Sequence, residues 1–129
     1  MGEERRETVE IKATGFASPA QGYEEQSIDL NRILVQNPPA TYFMRLESSE
    51  MADLGLPQGS ILIVDRSVDP INNSIVLIRH EAQFLCRMMI KKKSKILFTN
   101  GTAEISPIPG DTEIIGTVIA SIKTYDNVN

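Results

Sequence analysis

Few side chains in this sequence have the type and spacing that metal binding or nucleophilic catalysis requires. The chain of 129 residues contains one histidine, His80, and one cysteine, Cys86. These counts exclude a multi-histidine metal site, an internal disulfide and any Ser-His-Asp triad that does not use His80. His80 lies at a predicted strand end between Arg79 and Glu81, which favours a hydrogen-bonded or exposed imidazole over a catalytic one. Because glycine-rich phosphate loops and paired Cys/His spacings are also absent from the sequence, we expect no metal ion and no cofactor.

A single run of like charge stands out in an acidic chain. Four lysines and one serine fill positions 91–95, between two predicted strands, and this placement is typical of a solvated hairpin tip. A phosphate-binding role is disfavoured because the net charge is −4 and the sequence pI is about 5.0. The acidic balance and the absence of tryptophan predict no direct binding of nucleic acid.

The composition indicates one globular domain. The hydrophobic fraction is 41% and the charged fraction 23%, as in folded rather than disordered chains, and the length suffices for one core. Apolar runs such as residues 61–64 are far too short to span a bilayer. The charged amino terminus lacks the apolar stretch of a secretory signal. We therefore expect a cytoplasmic protein with no membrane segment.

The elements that would position any site are mainly short strands. Residue type and alternation predict strands at residues 41–46, 60–64, 74–79, 83–90, 95–99 and 113–125. Apolar spacing predicts a helix over residues 27–35, capped by Ser27 or Asp29 and ended before Pro38. A single helical turn is expected just before Gly55. This pattern favours a mostly-β, barrel-like or folded-sheet domain with one or two short helices.

Residues 1–26 differ from the rest of the chain. They are rich in glutamate, contain Gly15, Pro19 and Gly22, and keep no helical or strand period for more than a few residues. Only residues 8–13 alternate well enough to add to a sheet edge. We expect an extended amino-terminal arm at residues 1–26, either disordered or lying along a surface or a dimer mate, followed by a folded domain at residues 27–129.

Short matches to one protein family are spread in order along the chain. They begin with Thr-Gly-Phe-Ala-Ser-Pro-Ala at residues 14–20 and continue at residues 23, 25–26, 28–31, 38, 40–43, 51, 53, 55, 59, 62–65, 75–76 and 84. This ordered set covers roughly residues 14–125 and resembles the UmuD-like proteins, which belong to the LexA/UmuD family of self-cleaving proteins of the SOS response. The resemblance implies a mostly-β, deeply bent sheet like that of the LexA/UmuD carboxy-terminal domain, with a mobile amino-terminal arm.

The resemblance also implies a chemistry, which is a serine–lysine dyad. In the family a neutral lysine acts as general base on a serine, and the serine attacks a peptide bond in the protein's own arm, just before a glycine. In this sequence the cleavage-site-like bond is Thr14–Gly15. The serine position, immediately before a methionine, holds Glu50, and the lysine position, three residues after a phenylalanine, holds Arg87. Both members of the dyad are therefore expected to be replaced.

Neither replacement can carry out the family's reaction. Attack by a carboxylate would give an anhydride, and an arginine side chain stays protonated and cannot act as a base. Ser48 and Ser49 are candidate substitute nucleophiles, but without a neutral base each is an unactivated alcohol. If Glu50 and Arg87 occupy the dyad positions, they should meet as an ion pair with two parallel N–H···O bonds.

Three functions follow from the resemblance. The leading hypothesis is a UmuD-like protein of the SOS response and DNA-damage tolerance that acts through protein–protein contacts and lacks self-cleavage. The resemblance implies a homodimer and contacts with RecA filaments or an error-prone Y-family DNA polymerase. The alternatives are an active, RecA-stimulated self-cleaving serine peptidase that cuts near Thr14–Gly15, and a decoy or regulator that blocks UmuD-type dimers.

Overall fold

The structure, a computed structural model, describes residues 29–125 of the chain. The chain divides into two units, residues 1–33 and residues 34–129. The predicted arm at residues 1–26, the candidate cap Ser27 and the cleavage-site-like pair Thr14–Gly15 lie outside the described residues. The predicted boundary between an arm and a folded domain therefore stays a prediction.

The first described element is a short helix, α1 (Leu30–Leu34). Asp29 Oδ1 accepts a hydrogen bond from the backbone N–H of Asn31 at 3.1 Å, which is the capping role predicted for this residue. A 3-10 turn at Pro38–Ala40 follows, because proline cannot continue a helix through its missing N–H. Within residues 29–125, no helix is long and apolar enough to cross a bilayer.

The rest of the described chain is dominated by one antiparallel sheet of seven strands. The strands are β1 (Thr41–Arg45), β2 (Ile61–Asp65), β3 (Ile75–His80), β4 (Gln83–Lys92), β5 (Lys95–Thr99), β6 (Glu104–Ile105) and β7 (Glu113–Ile122). Their order in the sheet is β1-β2-β7-β3-β4-β5-β6. The predicted mostly-β class is confirmed, and each of the six predicted strands overlaps an observed one. The seventh, β6, was not predicted.

The sheet bends back on itself, and this bend creates the core. Leu46, directly after β1, and Cys86 on β4 belong to one cluster of buried side chains, although three strands separate β1 from β4 in the sheet. The interior strand β7 has a register irregularity against each neighbour, at Ile63/Val64 of β2 and at Leu77/Ile78 of β3. Such bulges bend and twist a strand locally.

Gly116 on β7 allows the backbone of β7 to lie close to Val64 of β2 at the bend. Gly116 pairs with Leu77, and a Cβ atom at this position would lie 2.6 Å from Cγ1 of the fully buried Val64. No side chain other than hydrogen fits that space without displacing Val64. The bend therefore depends on the bulges and on the absence of a Cβ at residue 116.

The lysines at residues 91–95 form the tip of the β4–β5 hairpin, as predicted. Lys92 pairs with Lys95 across the last rung of the ladder, and the four lysines are exposed.

Candidate functional site

The loop after β1 holds Glu50 at the edge of the folded sheet. Met51 is fully buried in the core, and the 3-10 turn Ala52–Leu54 follows it. Gly55 ends this turn with φ of +90°, a left-handed conformation that favours glycine. The predicted single helical turn before Gly55 is confirmed. Because Met51 is anchored in the core, the preceding residue Glu50 is fixed where the loop meets solvent.

Strand β4 brings Arg87 to the same place. Arg87 pairs with Val76 of β3, and its neighbour Cys86 is buried in the core cluster. In a flat sheet with one wet face, one of two successive residues would point to water. Here both are buried, because the folded sheet covers β4 on both faces at this point.

Glu50 and Arg87 form an ion pair. Arg87 Nη2 donates to Glu50 Oε1 at 2.6 Å, and Arg87 Nη1 donates to the Cys86 carbonyl oxygen at 2.7 Å. The Arg87 side chain is 10% exposed, whereas that of Glu50 is 51% exposed. The expected ion pair is confirmed. That these residues are the counterparts of the family's dyad stays a prediction.

The predicted two-bond geometry of this pair is wrong. The guanidinium gives one N–H to Glu50 and another to the backbone of its own strand, so the carboxylate is held by a single short bond. The Cys86 carbonyl oxygen, 2.7 Å from Nη1, is therefore a second acceptor that orients the guanidinium.

A cavity of about 310 Å³ opens beside this ion pair. Its apolar lining includes Met44, Leu62, Leu77 and Leu85, and Phe84 lies at its edge with 62% of its surface exposed. The charged side chains in the lining are Arg45, Glu47, Glu50 and Arg87. Positive and negative charges are thus balanced around an apolar cavity.

The candidate substitute nucleophiles Ser48 and Ser49 have no lysine or histidine beside them in the described part of the cavity. Ser48 Oγ accepts a hydrogen bond from the backbone N–H of Glu50 at 3.4 Å, and both serines lie on the exposed surface of the loop. No lysine or histidine in residues 29–125 lines the cavity. The described geometry therefore supplies no proton acceptor for either hydroxyl except carboxylates.

Cys86 also borders the cavity but is a poor nucleophile. Burial raises the pKa of its thiol to about 11, and the nearby charge of Arg87 only partly offsets this effect. At neutral pH the sulfur is therefore protonated, whereas thiolate is the reactive form. His80, the remaining candidate for catalysis, lies elsewhere, with Nδ1 2.7 Å from Thr112 Oγ1 in a partly buried hydrogen bond.

An apolar cavity and an ion pair lie side by side at this site. The residues that meet there are the half-exposed carboxylate of Glu50 and the largely buried guanidinium of Arg87. Such a pair stabilises the loop after β1 against β4. The pair contains neither a hydroxyl nucleophile nor a neutral amine base.

Comparison with known proteins identifies the relatives of this fold. The sequence pattern of the Peptidase S24-like family matches residues 8–119. The chain belongs to this family. The chain is 35% identical to protein MucA of Salmonella typhimurium over 104 residues, which are 80% of this chain and 71% of MucA. It is 32% identical to protein SamA of Salmonella typhimurium over 108 residues, covering 84% of this chain and 77% of SamA.

A more distant relative extends the comparison beyond the UmuD-like proteins. The LexA repressor of Hahella chejuensis is 32% identical over 96 residues, which are 74% of this chain and 48% of the repressor. Together these relatives confirm the resemblance seen in the sequence: the chain is a UmuD-like, SOS-related member of the LexA/UmuD family.

Two parts of the site were not predicted from the sequence. The bond from Arg87 to the Cys86 carbonyl group and the cavity beside the ion pair both arise from the way the sheet folds. The adjacent burial of residues 86 and 87 breaks the alternation of a half-exposed strand. Local sequence carried no signal for this, because an arginine next to a buried residue of a strand normally faces water.

Proposed function

We propose that this S24-family protein lacks self-cleavage and acts in the SOS response through protein–protein contacts. The observation that carries the proposal is the 2.6 Å ion pair between Arg87 Nη2 and Glu50 Oε1. Self-cleavage in the family needs a hydroxyl nucleophile and a neutral base at one place. A paired carboxylate and guanidinium provide neither.

The ion pair supports replacement of both dyad residues by a compatible pair, rather than the loss of only one of them. An arginine opposite serine would leave a buried cation without a counter-ion, and a glutamate opposite lysine would hold that lysine charged. With Glu50 and Arg87 together, the charges compensate each other. A matched pair keeps the loop after β1 in place and preserves the cavity as a binding surface.

The partners that we propose follow from the family. A homodimer, the RecA filament and a Y-family DNA polymerase engaged in translesion synthesis are the candidates, in the cytoplasm and without a cofactor. Strand β1 supports the dimer, because it stands at one end of the sheet order and exposes Phe43 and Tyr42. Edge strands of this kind are commonly covered by another chain.

Restoring the dyad tests the chemical part of this proposal. The double variant Glu50→Ser/Arg87→Lys should fold and cleave itself slowly at Thr14–Gly15 when incubated with activated RecA filaments or at alkaline pH. The single variants Glu50→Ser and Arg87→Lys should stay intact, because each supplies only one member of the dyad. A folded double variant that never cuts would contradict the proposal that the replacement at Glu50 and Arg87 alone prevents cleavage.

Sedimentation and pull-down experiments test the proposed protein–protein contacts. Sedimentation at micromolar concentration should give a dimer, and a single ~14 kDa species would contradict that assembly. Capture of a Y-family polymerase would support a role in DNA-damage tolerance. Capture of an authentic UmuD without the polymerase would instead support a decoy that blocks UmuD-type dimers.

A further inference from the structure

The lysine hairpin, residues 91–95, is a strongly charged feature that the proposed function does not use. Lys92 and Lys95 face each other across the last pair of the β4–β5 ladder, and Lys93 adopts a φ of +54° in the turn. None of residues 91–95 lines the cavity beside Glu50. The hairpin and the cavity are therefore separate surfaces.

The hairpin places like charges where they oppose folding. Identical charges at directly opposed positions of a strand pair repel each other, and a left-handed conformation costs a lysine free energy that it would not cost a glycine. In the part of the chain that the structure describes, no carboxylate lies within ion-pair distance of these lysines. The hairpin tip therefore concentrates positive charge in an arrangement that is locally unfavourable.

Exposed apolar side chains border this charge. Asn72 Oδ1 accepts a hydrogen bond from the backbone N–H of Lys91 at 2.8 Å, which holds the β2–β3 loop against the base of the hairpin. Ile71, next to Asn72 in that loop, is 72% exposed. On the other side Ile96, the strand partner of Lys91, is exposed as well. Lys91 and Ile96 lie on one face of the hairpin, whereas the Lys92–Lys95 pair lies on the other. The face that carries Lys91 and Ile96 is therefore both basic and apolar.

We propose that this surface, formed by Ile71, Asn72, Lys91, Ile96 and Lys93 of the turn, docks an acidic segment of a partner protein that carries apolar side chains between its carboxylates. The lysines match the carboxylates, and the two isoleucines match the apolar side chains. Nucleic acid fits less well, because phosphates leave Ile71 without a partner and the rest of the chain is acidic. The proposal goes beyond the proposed function, since it holds whether or not the chain cleaves itself.

Titration of the full-length, ¹⁵N-labelled protein with three probes tests the proposal. The probes are a peptide of alternating glutamate and leucine, a peptide of alternating glutamate and serine with the same charge, and a single-stranded oligonucleotide of similar charge. The Glu-Leu peptide should bind at least about threefold more tightly than the Glu-Ser peptide and more tightly than the oligonucleotide. Its chemical-shift changes should be confined to residues 71–73 and 91–96.

Variants that remove charge or an apolar side chain test whether the Glu-Leu peptide binds at the hairpin. Lys91→Gln/Lys93→Gln should weaken binding of the Glu-Leu peptide at least about fivefold. The control Arg66→Gln/Lys123→Gln, which removes the same charge elsewhere, should change the affinity for this peptide by less than about twofold. Ile71→Ser should lower the affinity for the Glu-Leu peptide and leave the Glu-Ser peptide unaffected.

Three outcomes would overturn the proposal. The first is tighter binding of the oligonucleotide than of either peptide, which would assign the hairpin to nucleic acid. The second is an equal loss of peptide binding in the hairpin variant and the control variant, which would mean that only net charge matters. The third is the absence of shift changes at residues 71–73 and 91–96 with every probe.

Discussion

Arg87 reaches from strand β4 to Glu50 in the loop after β1, so that one guanidinium ties together two parts of the sheet that three strands separate. Its second N–H group holds the carbonyl oxygen of Cys86. The contact is asymmetric, because the arginine end is buried and the carboxylate end is half exposed. Because water reaches the carboxylate, the ion pair should contribute less to the free energy of unfolding than a fully buried pair and more than a surface pair.

Removal of the carboxylate should destabilise the protein moderately. Breaking a fully buried ion pair costs about 3–5 kcal/mol and a surface pair less than about 1 kcal/mol. Because Glu50 is half exposed and water can reach it, we expect Glu50→Ala to lower the free energy of unfolding by about 1–2 kcal/mol. Urea unfolding measures this change. Glu47→Ala, in the same exposed loop, is the control, and an equal effect of both variants would show that the ion pair contributes nothing.

Gly116→Ala should destabilise the bend of the sheet. The new methyl group would lie 2.6 Å from Val64 Cγ1, and overpacking of this kind typically costs about 1–3 kcal/mol. Thermal or urea unfolding gives the size of the loss. In the double variant Gly116→Ala/Val64→Ala the clash is absent, so the loss should be smaller than the sum of the two single losses. Strict additivity would contradict the proposed contact.

The Asp65 carboxylate should make stability depend on acid pH. Its Oδ1 accepts hydrogen bonds from Ser67 Oγ at 2.6 Å and Ser67 N at 2.8 Å, and its Oδ2 accepts one from Asn37 Nδ2 at 3.2 Å. The Ser67 hydroxyl, then the Ser67 N–H, lower the pKa of Asp65 from its ordinary value of 3.8; burial opposes them, and Asn37 adds to the lowering.

The sign of the pH effect follows from that lowered pKa. A carboxylate with a lower pKa in the folded state adds stability above its unfolded pKa, and this stability is lost as the pH falls through the folded value. Asp65→Asn should therefore reduce stability at neutral pH and flatten its decline below about pH 4. Urea unfolding across this pH range measures both effects, with the exposed Asp69→Asn as control. A parallel decline in wild type and Asp65→Asn would contradict this role.

The β3–β4 turn should be stabilised by a glycine. Glu81 and Ala82 connect the paired residues His80 and Gln83 with φ of +52° and +65°, a pair of left-handed conformations typical of a two-residue hairpin turn. Ala82→Gly removes the steric cost at one of them, so the free energy of unfolding should rise by about 1 kcal/mol. The same change at Ala103, which lacks a positive φ, should lower stability. If Ala82→Gly and Ala103→Gly both lowered the free energy of unfolding, the backbone at Ala82 would not be strained.

The sequence predicted the strands well where apolar residues alternate or run together, as at residues 61–64 and 75–78. It failed for β6, because the two residues Glu104 and Ile105 are too few to show a period. The β3–β4 turn carried no turn signal, since Glu81 and Ala82 are neither glycine, asparagine nor proline. Its formation follows from the pairing of the flanking strands and from the bond between Glu81 N and Asp111 Oδ2 at 2.8 Å.

The site was predictable in part. The meeting of Glu50 and Arg87 was expected from the spacing of matched residues in the family. The single-bond geometry was not, because it depends on a carbonyl group that the folded strand presents to the guanidinium. The fraction of Glu50 that water reaches was likewise decided by the course of the loop over the sheet. Local sequence carries little information about contacts of that kind.

Intact mass of the wild-type protein tests the central claim most directly. The protein is incubated with activated RecA filaments, and separately at alkaline pH, beside an authentic UmuD that must cut in the same samples. We predict that the mass of the wild-type chain stays unchanged, because Glu50 and Arg87 supply neither a hydroxyl nucleophile nor a neutral base. A product that lacks residues 1–14 would contradict the claim and show that a peptidase survives in this chain.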